Sequence, residues 1–240
     1  KLDRKVKKMK SLKDKWMTTF YGMDWYKINS ITDLAKIQGP ALIEYVIDAN
    51  EYREIEKVQE LGFTLVETDI EFETLINHDR GSLPNIRIAN KNDLGAILEI
   101  TKECYSSHNK FYNRFKNKSF FTEKQAEDYY KNSVINNYEG ENIIKVVVED
   151  KEGICAYYII KKLENLLMVG KYKGIIAGVS ARARGKNLHV EMQNKITELI
   201  KEPYITVNRT QLGNYRVIGN HLKDRRQLSK IEHYFYKKIK

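Results

Sequence analysis

Apolar and polar positions along this 240-residue chain follow two periods, and the period changes where turn-forming residues fall. Residues 41–48 (ALIEYVID) form a short run rich in β-formers and predict a buried strand. Asn50 then predicts a helix cap, Tyr52, Ile55 and Val58 recur at a spacing of three, and Gly62 follows as a C-terminal stop. From residue 64 to 72 the pattern alternates. Val66, Thr68, Ile70 and Phe72 share one face and Glu67, Asp69 and Glu71 the other, which predicts a half-buried strand with an acidic outer face. The polar stretch 77–84 (NHDRGSLP) contains Gly and Pro and predicts a domain boundary, giving residues 1–78, a linker 79–84 and a second domain 85–240.

The second block predicts a strand at 85–89 and a helix from about Asp93, with Leu94, Ile97, Leu98, Thr101, Cys104 and Tyr105 on its stripe. A polar-aromatic stretch, 106–134, is helical in its later half. Strands follow at 143–148, 154–160 and 173–180, then a helix at 186–200 whose stripe is Leu188, Met192, Ile196, Leu199 and Ile200. A strand at 204–208, a helix at 214–222 and a strand at 230–236 close the chain. Three successive strands favour a meander and the later βαβ steps favour parallel pairing. The fold class is therefore α/β (α+β mixed), with a central, mixed and partly antiparallel sheet behind a smaller α/β N-terminal domain.

Composition narrows the function. Hydrophobic residues make up 42% and charged residues 31%, which suits a globular chain and excludes a disordered one. No apolar run is long enough to cross a bilayer and the Lys-rich start lacks an apolar stretch, so the expectation is a cytoplasmic protein with no membrane partner. Cys104 and Cys155 are read as reduced thiols in apolar surroundings, and the five histidines show no metal-ligand spacing, so no metal is expected. Of the net charge of +10, +6 lies in residues 1–15. That basic head lacks interleaved aromatics and reads as a solvated terminus, not a nucleic-acid contact. The remaining excess suits polyanionic ligands. A homodimer is left open.

Two segments carry candidate chemistry. In 177–189 (AGVSARARGKNLH) a strand runs into a turn holding Arg184, Gly185 and Lys186 and then opens a helix, a geometry that aims free N–H groups and a positive dipole end at an anion. In 207–222 a strand again leads into a helix, with Gly213 for the turn and Asn214 at the cap. Val217, Ile218, His221 and Leu222 share a face, so His221 is placed at its buried edge, toward a cleft. Here the chain resembles the GNAT acetyltransferases, and among them the dTDP-fucosamine N-acetyltransferases, which act on dTDP-4-amino-4,6-dideoxygalactose. Leu61-Gly-Phe-Thr-Leu-Val-Glu67, Trp16 with Phe20-Tyr21-Gly22, Thr210-Gln-Leu-Gly-Asn214 and His233-Tyr-Phe-Tyr236 carry the likeness, which covers nearly the whole chain.

The resemblance implies an acyl-CoA co-substrate, acetyl-CoA or another, and a dTDP-aminosugar acceptor in surface-polysaccharide (lipopolysaccharide or O-antigen) biosynthesis. Arg184, Gly185, Lys186, Asn187, Leu188 and His189 would cradle the pyrophosphate, Ala177, Gly178 and Val179 would hold the pantetheine arm, and Asn214 would hold the coenzyme nearby. The family's tyrosine acid, seven residues beyond that Asn, falls on His221, with Tyr215 as the substitute. Asn187 and His189 stand where the family pattern has glycine and a small residue. For the acceptor, His108, Asn109, Phe111, Tyr112, Arg114 and Phe115 combine stacking surface and charge, joined by Gln211. Rival readings are acylation of a protein N-terminus or small amine, and a non-catalytic GNAT-like module whose basic head binds nucleic acid.

Overall fold

A computed structural model describes residues 12–77, 81–106, 112–163 and 169–240. The strands are β1 (Asp24–Ile28), β2 (Ala41–Asp48), β3 (Thr64–Ile76), β4 (Ile86–Ile88), β5 (Ile143–Asp150), β6 (Gly153–Lys162), β7 (Gly170–Val179), β8 (Tyr204–Gln211) and β9 (Gln227–Ile239). The helices are α1 (Lys15–Tyr21), α2 (Tyr52–Glu60), α3 (Leu94–Tyr105), α4 (Glu123–Tyr138), α5 (Leu188–Ile200) and α6 (Tyr215–Lys223). The chain divides into two compact units, one reaching Thr68 and including Ile231–Lys240, the other Asp69–Lys230.

In the first unit β1 lies parallel to β2, and β2 pairs antiparallel with β9 from Ala41–Ile239 to Asp48–Glu232. Their apolar faces join Val58 of α2 and Phe63 in one buried cluster. Gly62 adopts φ 77°, the left-handed conformation expected of a helix stop. The predicted Asn50 cap is not made. Asn50 instead donates from its backbone and side-chain nitrogens to Asp48 Oδ1, each at 3.0 Å, and α2 begins behind Glu51 without a side-chain cap. An Asp two residues back competes for the same turn.

In the second unit β4, β5, β6 and β7 form an antiparallel run, β7 joins β8 in parallel, and β8 pairs antiparallel with β3 from Asp69 to Ile76. Strand periodicity sorts its core into two layers. Val147, Tyr157 and Ile159 face α3 and α4 through Ile97, Ile100, Val134 and Tyr138. Val146, Val148, Tyr158 and Ile160 face α5 through Leu188, Met192 and Ile196. Covered on both faces, β5 and β6 read as continuous apolar runs, as in the sequence.

Two expectations differ from what is observed. The division of the chain falls inside β3, not in the polar segment 79–84, and Ile231–Lys240, the larger part of β9, goes with the first residues. A Gly/Pro-rich turn marks where the chain bends, but strand pairing decides which residues cohere. The acidic face of β3 is not solvated either: Glu67 and Asp69 are buried. In the second unit Asp69 lies 3.8 Å from the Arg114 guanidinium, and Glu71 accepts from Arg209 at 2.6 Å. Alternation reports which residues share a face, not whether a cation covers it.

Candidate active site

The site begins with a break in the sheet. β7 and β8 pair only from Gly170–Tyr204 to Lys173–Val207. Just beyond, the β6–β7 register shifts between Ile159 and Ile160, a bulge that bends the strand. Past it β7 stays with β6 and β8 stays with β3, so the facing edges part. Asn208 and Tyr158 fill the apex, their side chains joined by a 2.5 Å hydrogen bond from the Tyr158 hydroxyl to Asn208 Oδ1. Gly174 belongs there because a Cβ would overlap that oxygen.

The orientation of the open edge follows from the ladder. Ser180 N–H donates to the Cys155 carbonyl at 2.9 Å, so the Val179–Ala156 and Ala177–Tyr158 pairs are the non-hydrogen-bonded ones. The N–H and C=O of Ala177 and Val179 therefore point away from β6, into the gap. Both carbonyls already have donors. The Tyr105 hydroxyl reaches Ala177 O at 2.8 Å, while Arg184 Nε at 3.2 Å and Cys104 Sγ at 3.4 Å reach Val179 O.

A cavity of about 1080 Å³ opens along this edge, lined by Ala177, Gly178 and Val179. Its second wall is the start of α5, with Arg184, Gly185, Lys186, Asn187, Leu188 and His189. Gly185 (φ 84°) and Asn187 (φ 57°) are both left-handed, so Asn187 takes the conformation that the family pattern assigns to glycine. Asn187 makes no side-chain cap, which leaves the first N–H groups of the thirteen-residue α5 for an outside acceptor. Arg184 is tied to Glu103 at 3.2 Å, and Glu103 also accepts from Ala181 N–H at 2.5 Å.

The third wall is α6, which contributes Asn214, Arg216, Val217, Asn220 and His221. The starts of α5 and α6 thus line one cavity, and the His189 ring lies 5.6 Å from that of His221 in the last turn of α6. His189 does not block the turn: its ring packs on Tyr158 at 5.2 Å, at the cavity floor. His221 is 2% exposed, packs on Phe72 and leaves Nδ1 without a partner. Behind it Arg226, its side chain fully buried, pairs with Asp224 at 3.0 Å. Burial, reinforced by the Arg226 charge, pushes His189 down to about 3, and the same two causes together with His189 push His221 to about 3. Both shifts favour the neutral ring at pH 7, the form opposite to the imidazolium expected of His221. The expected apolar face of α6 is also narrower, because Leu222 is 59% exposed. Asn214 occupies the cap position of α6 but makes no side-chain cap. Tyr215 is 78% exposed and lies off the cavity lining.

The fourth wall comes from α3, α4 and the segment between them. Of the residues expected at the acceptor, Tyr112 and Gln211 line the cavity. Arg114 is drawn toward Asp69, and Phe115 is a buried ring stacked 3.7 Å from Tyr129. His108, Asn109 and Phe111 lie outside the described residues, as do residues 1–11 of the basic head. Residues that sequence pattern alone did not single out complete the wall: Cys104, Tyr105, Asn113, Lys116 and Tyr130. Tyr105 and Cys104 end the apolar stripe of α3, where helical spacing cannot distinguish a core position from a cavity wall.

No protein-family description and no curated protein sequence matches the chain. Solved structures do. A functionally unknown conserved protein from Staphylococcus epidermidis superposes with a TM-score of 0.58 at 14% identity, over 90% of this chain and 84% of the other. A GCN5-related N-acetyltransferase from Sphaerobacter thermophilus gives 0.53 at 11% identity, over 87% of this chain and 64% of the other. A tandem GNAT protein from the clavulanic acid biosynthesis pathway gives 0.51 at 7% identity, over 82% and 64%. The chain thus spans less than two thirds of the length of both GNAT proteins. At these identities the likeness establishes the fold: a mixed α/β sheet of the GNAT type.

Proposed function

We propose that this chain is an acyl-CoA-dependent N-acyltransferase whose acceptor is the amino group of a dTDP-linked amino-dideoxyhexose. One observation carries the transfer chemistry: the unpaired edge of β7 opens into a cavity between the starts of α5 and α6. The residues present suit an acyl-CoA. The left-handed turn at Gly185 and Asn187 and the uncapped start of α5 would hold its pyrophosphate, with Lys186 for charge. The N–H groups of Ala177 and Val179 would receive carbonyl oxygens of the arm and thioester, stabilising charge that develops on the thioester oxygen. The bound thioester supplies the activated acyl carbon.

The protein's own part is placement. His221, favoured in its neutral form and on the cavity lining, would help place the incoming acceptor, whose amine enters as the free base. Support for a nucleotide-sugar acceptor is the fourth wall, where Tyr112, Lys116 and Tyr130 set aromatic faces and a cation beside the donor edge.

Thiol release, measured over a panel of dTDP- and UDP-aminosugars, protein N-terminal peptides and small amines with several acyl-CoAs, tests both levels. Release restricted to nucleotide aminosugars supports the full reading, release with peptides alone moves the acceptor, and no saturable coenzyme A binding removes the transferase. His221→Phe is expected to lower turnover about 10²-fold through lost orientation. The wild-type pH–rate profile should carry no limb from His221 between pH 6 and 8, and a limb lost in that variant restores the imidazolium role.

A further inference from the structure

Tyr215 lies off the cavity lining, and burial favours the neutral form of His221, which leaves room for a further donor to the departing thiol on the cavity walls. The cavity supplies one from the opposite wall. The N–H and C=O of one strand residue point to the same side, so the Tyr105 hydroxyl, donating to Ala177 O at 2.8 Å, stands beside the Ala177 N–H on the open edge. A thioester whose oxygen is received on this edge has its sulfur one bond from the carbonyl carbon, within the same short stretch. The phenol ring is fixed in that position by Tyr130 of α4, which stacks on it at 4.2 Å and 12°.

Building on the acyltransferase reading, we infer that Tyr105 of α3 is a catalytic residue, the general acid that protonates the leaving thiolate. The amine lone pair forms the C–N bond and the carbonyl pair moves to oxygen. As the C=O re-forms, the C–S bond breaks and its electron pair goes to sulfur. The Tyr105 O–H proton passes to that sulfur, and the proton shed by the amine returns, through water, to the phenolate. Amine and thioester become amide and thiol with no further reactant. Burial raises the Tyr105 hydroxyl above its ordinary range, which keeps it protonated but makes it a weaker acid than a free tyrosine, so its contribution rests on placement beside the sulfur.

Tyr105→Phe keeps the stacked ring and removes the hydroxyl, with its proton and its bond to Ala177 O. Coenzyme A affinity, melting temperature, turnover with acetyl-CoA and the best amine of the panel, and the solvent deuterium isotope effect are measured for the native chain and the variant. The expected result is unchanged affinity, a melting temperature lower by only about 2–4 °C, the cost of one lost hydrogen bond, turnover about 10²-fold lower, and an isotope effect altered relative to the native chain. Unchanged turnover, or a loss confined to affinity or stability, overturns the role of Tyr105 while leaving the transferase intact. A native chain that binds no coenzyme A, or releases thiol with no amine of the panel, overturns both.

Discussion

Gly178 offers a quantitative test of how β7 is held against α3. A Cβ on Gly178 would come 2.5 Å from Tyr157 Cε1 and 3.0 Å from Ile100 Cγ2. Neither neighbour can yield cheaply. Tyr157 is fully buried, and its hydroxyl is 2.7 Å from Thr101 Oγ1, which itself donates to Ile97 O. Overpacking of this kind costs about 1–3 kcal/mol, and losing the buried hydroxyl pair adds about 1 kcal/mol. Loss of chain freedom in the unfolded state returns about 0.4–1 kcal/mol. Gly178→Ala should therefore destabilise by about 1–4 kcal/mol, a fall in melting temperature of about 2–4 °C per kcal/mol at this size. Gly219, inside α6, is the control: a Cβ there meets nothing within 4 Å, so Gly219→Ala should stabilise by up to about 1 kcal/mol. Urea and thermal unfolding of both variants read the contrast. A Gly178→Ala chain as stable as Gly219→Ala would refute the placement of Tyr157 behind the open edge.

Two further outcomes are expected. Asn187→Gly should keep coenzyme A affinity, whereas Asn187→Ala must hold a left-handed φ at a cost of about 1–2 kcal/mol and should bind more weakly, as titration calorimetry would register. His189 and His221 have folded values of about 3, below the unfolded value of about 6.5, so the unfolded chain binds more protons as pH falls. The stability of their neutral burial is whole above pH ~6.5 and is lost as pH falls toward ~3. Urea midpoints from pH 4 to 8 should show a shallower acid limb in His221→Gln, and an unchanged slope would contradict the burial.

Much of this protein was legible in its residue order because the deciding physics is local. Residues 41–48 coincide with β2 to the residue, and the stripe of α5 buries Leu188, Met192 and Ile196 as its spacing demands. The Arg184–Gly185–Lys186 turn announced a helix start, and α5 begins at Leu188. Short-range signals stopped at α1 and β1, whose seven and five residues carry too little periodicity to be recognised. What only the tertiary structure decided involves partners far apart in sequence. The parting of β7 from β8 depends on a bulge opposite β6 and on the claim of β3 on β8. The shift of His221 depends first on its burial, then on a buried arginine and a second histidine from another helix. Tyr105 carries the pattern of a core residue, and only the assembled sheet turns it toward the cavity. Periodicity encodes which face a side chain takes, whereas charge state and access depend on what the rest of the chain brings to that face.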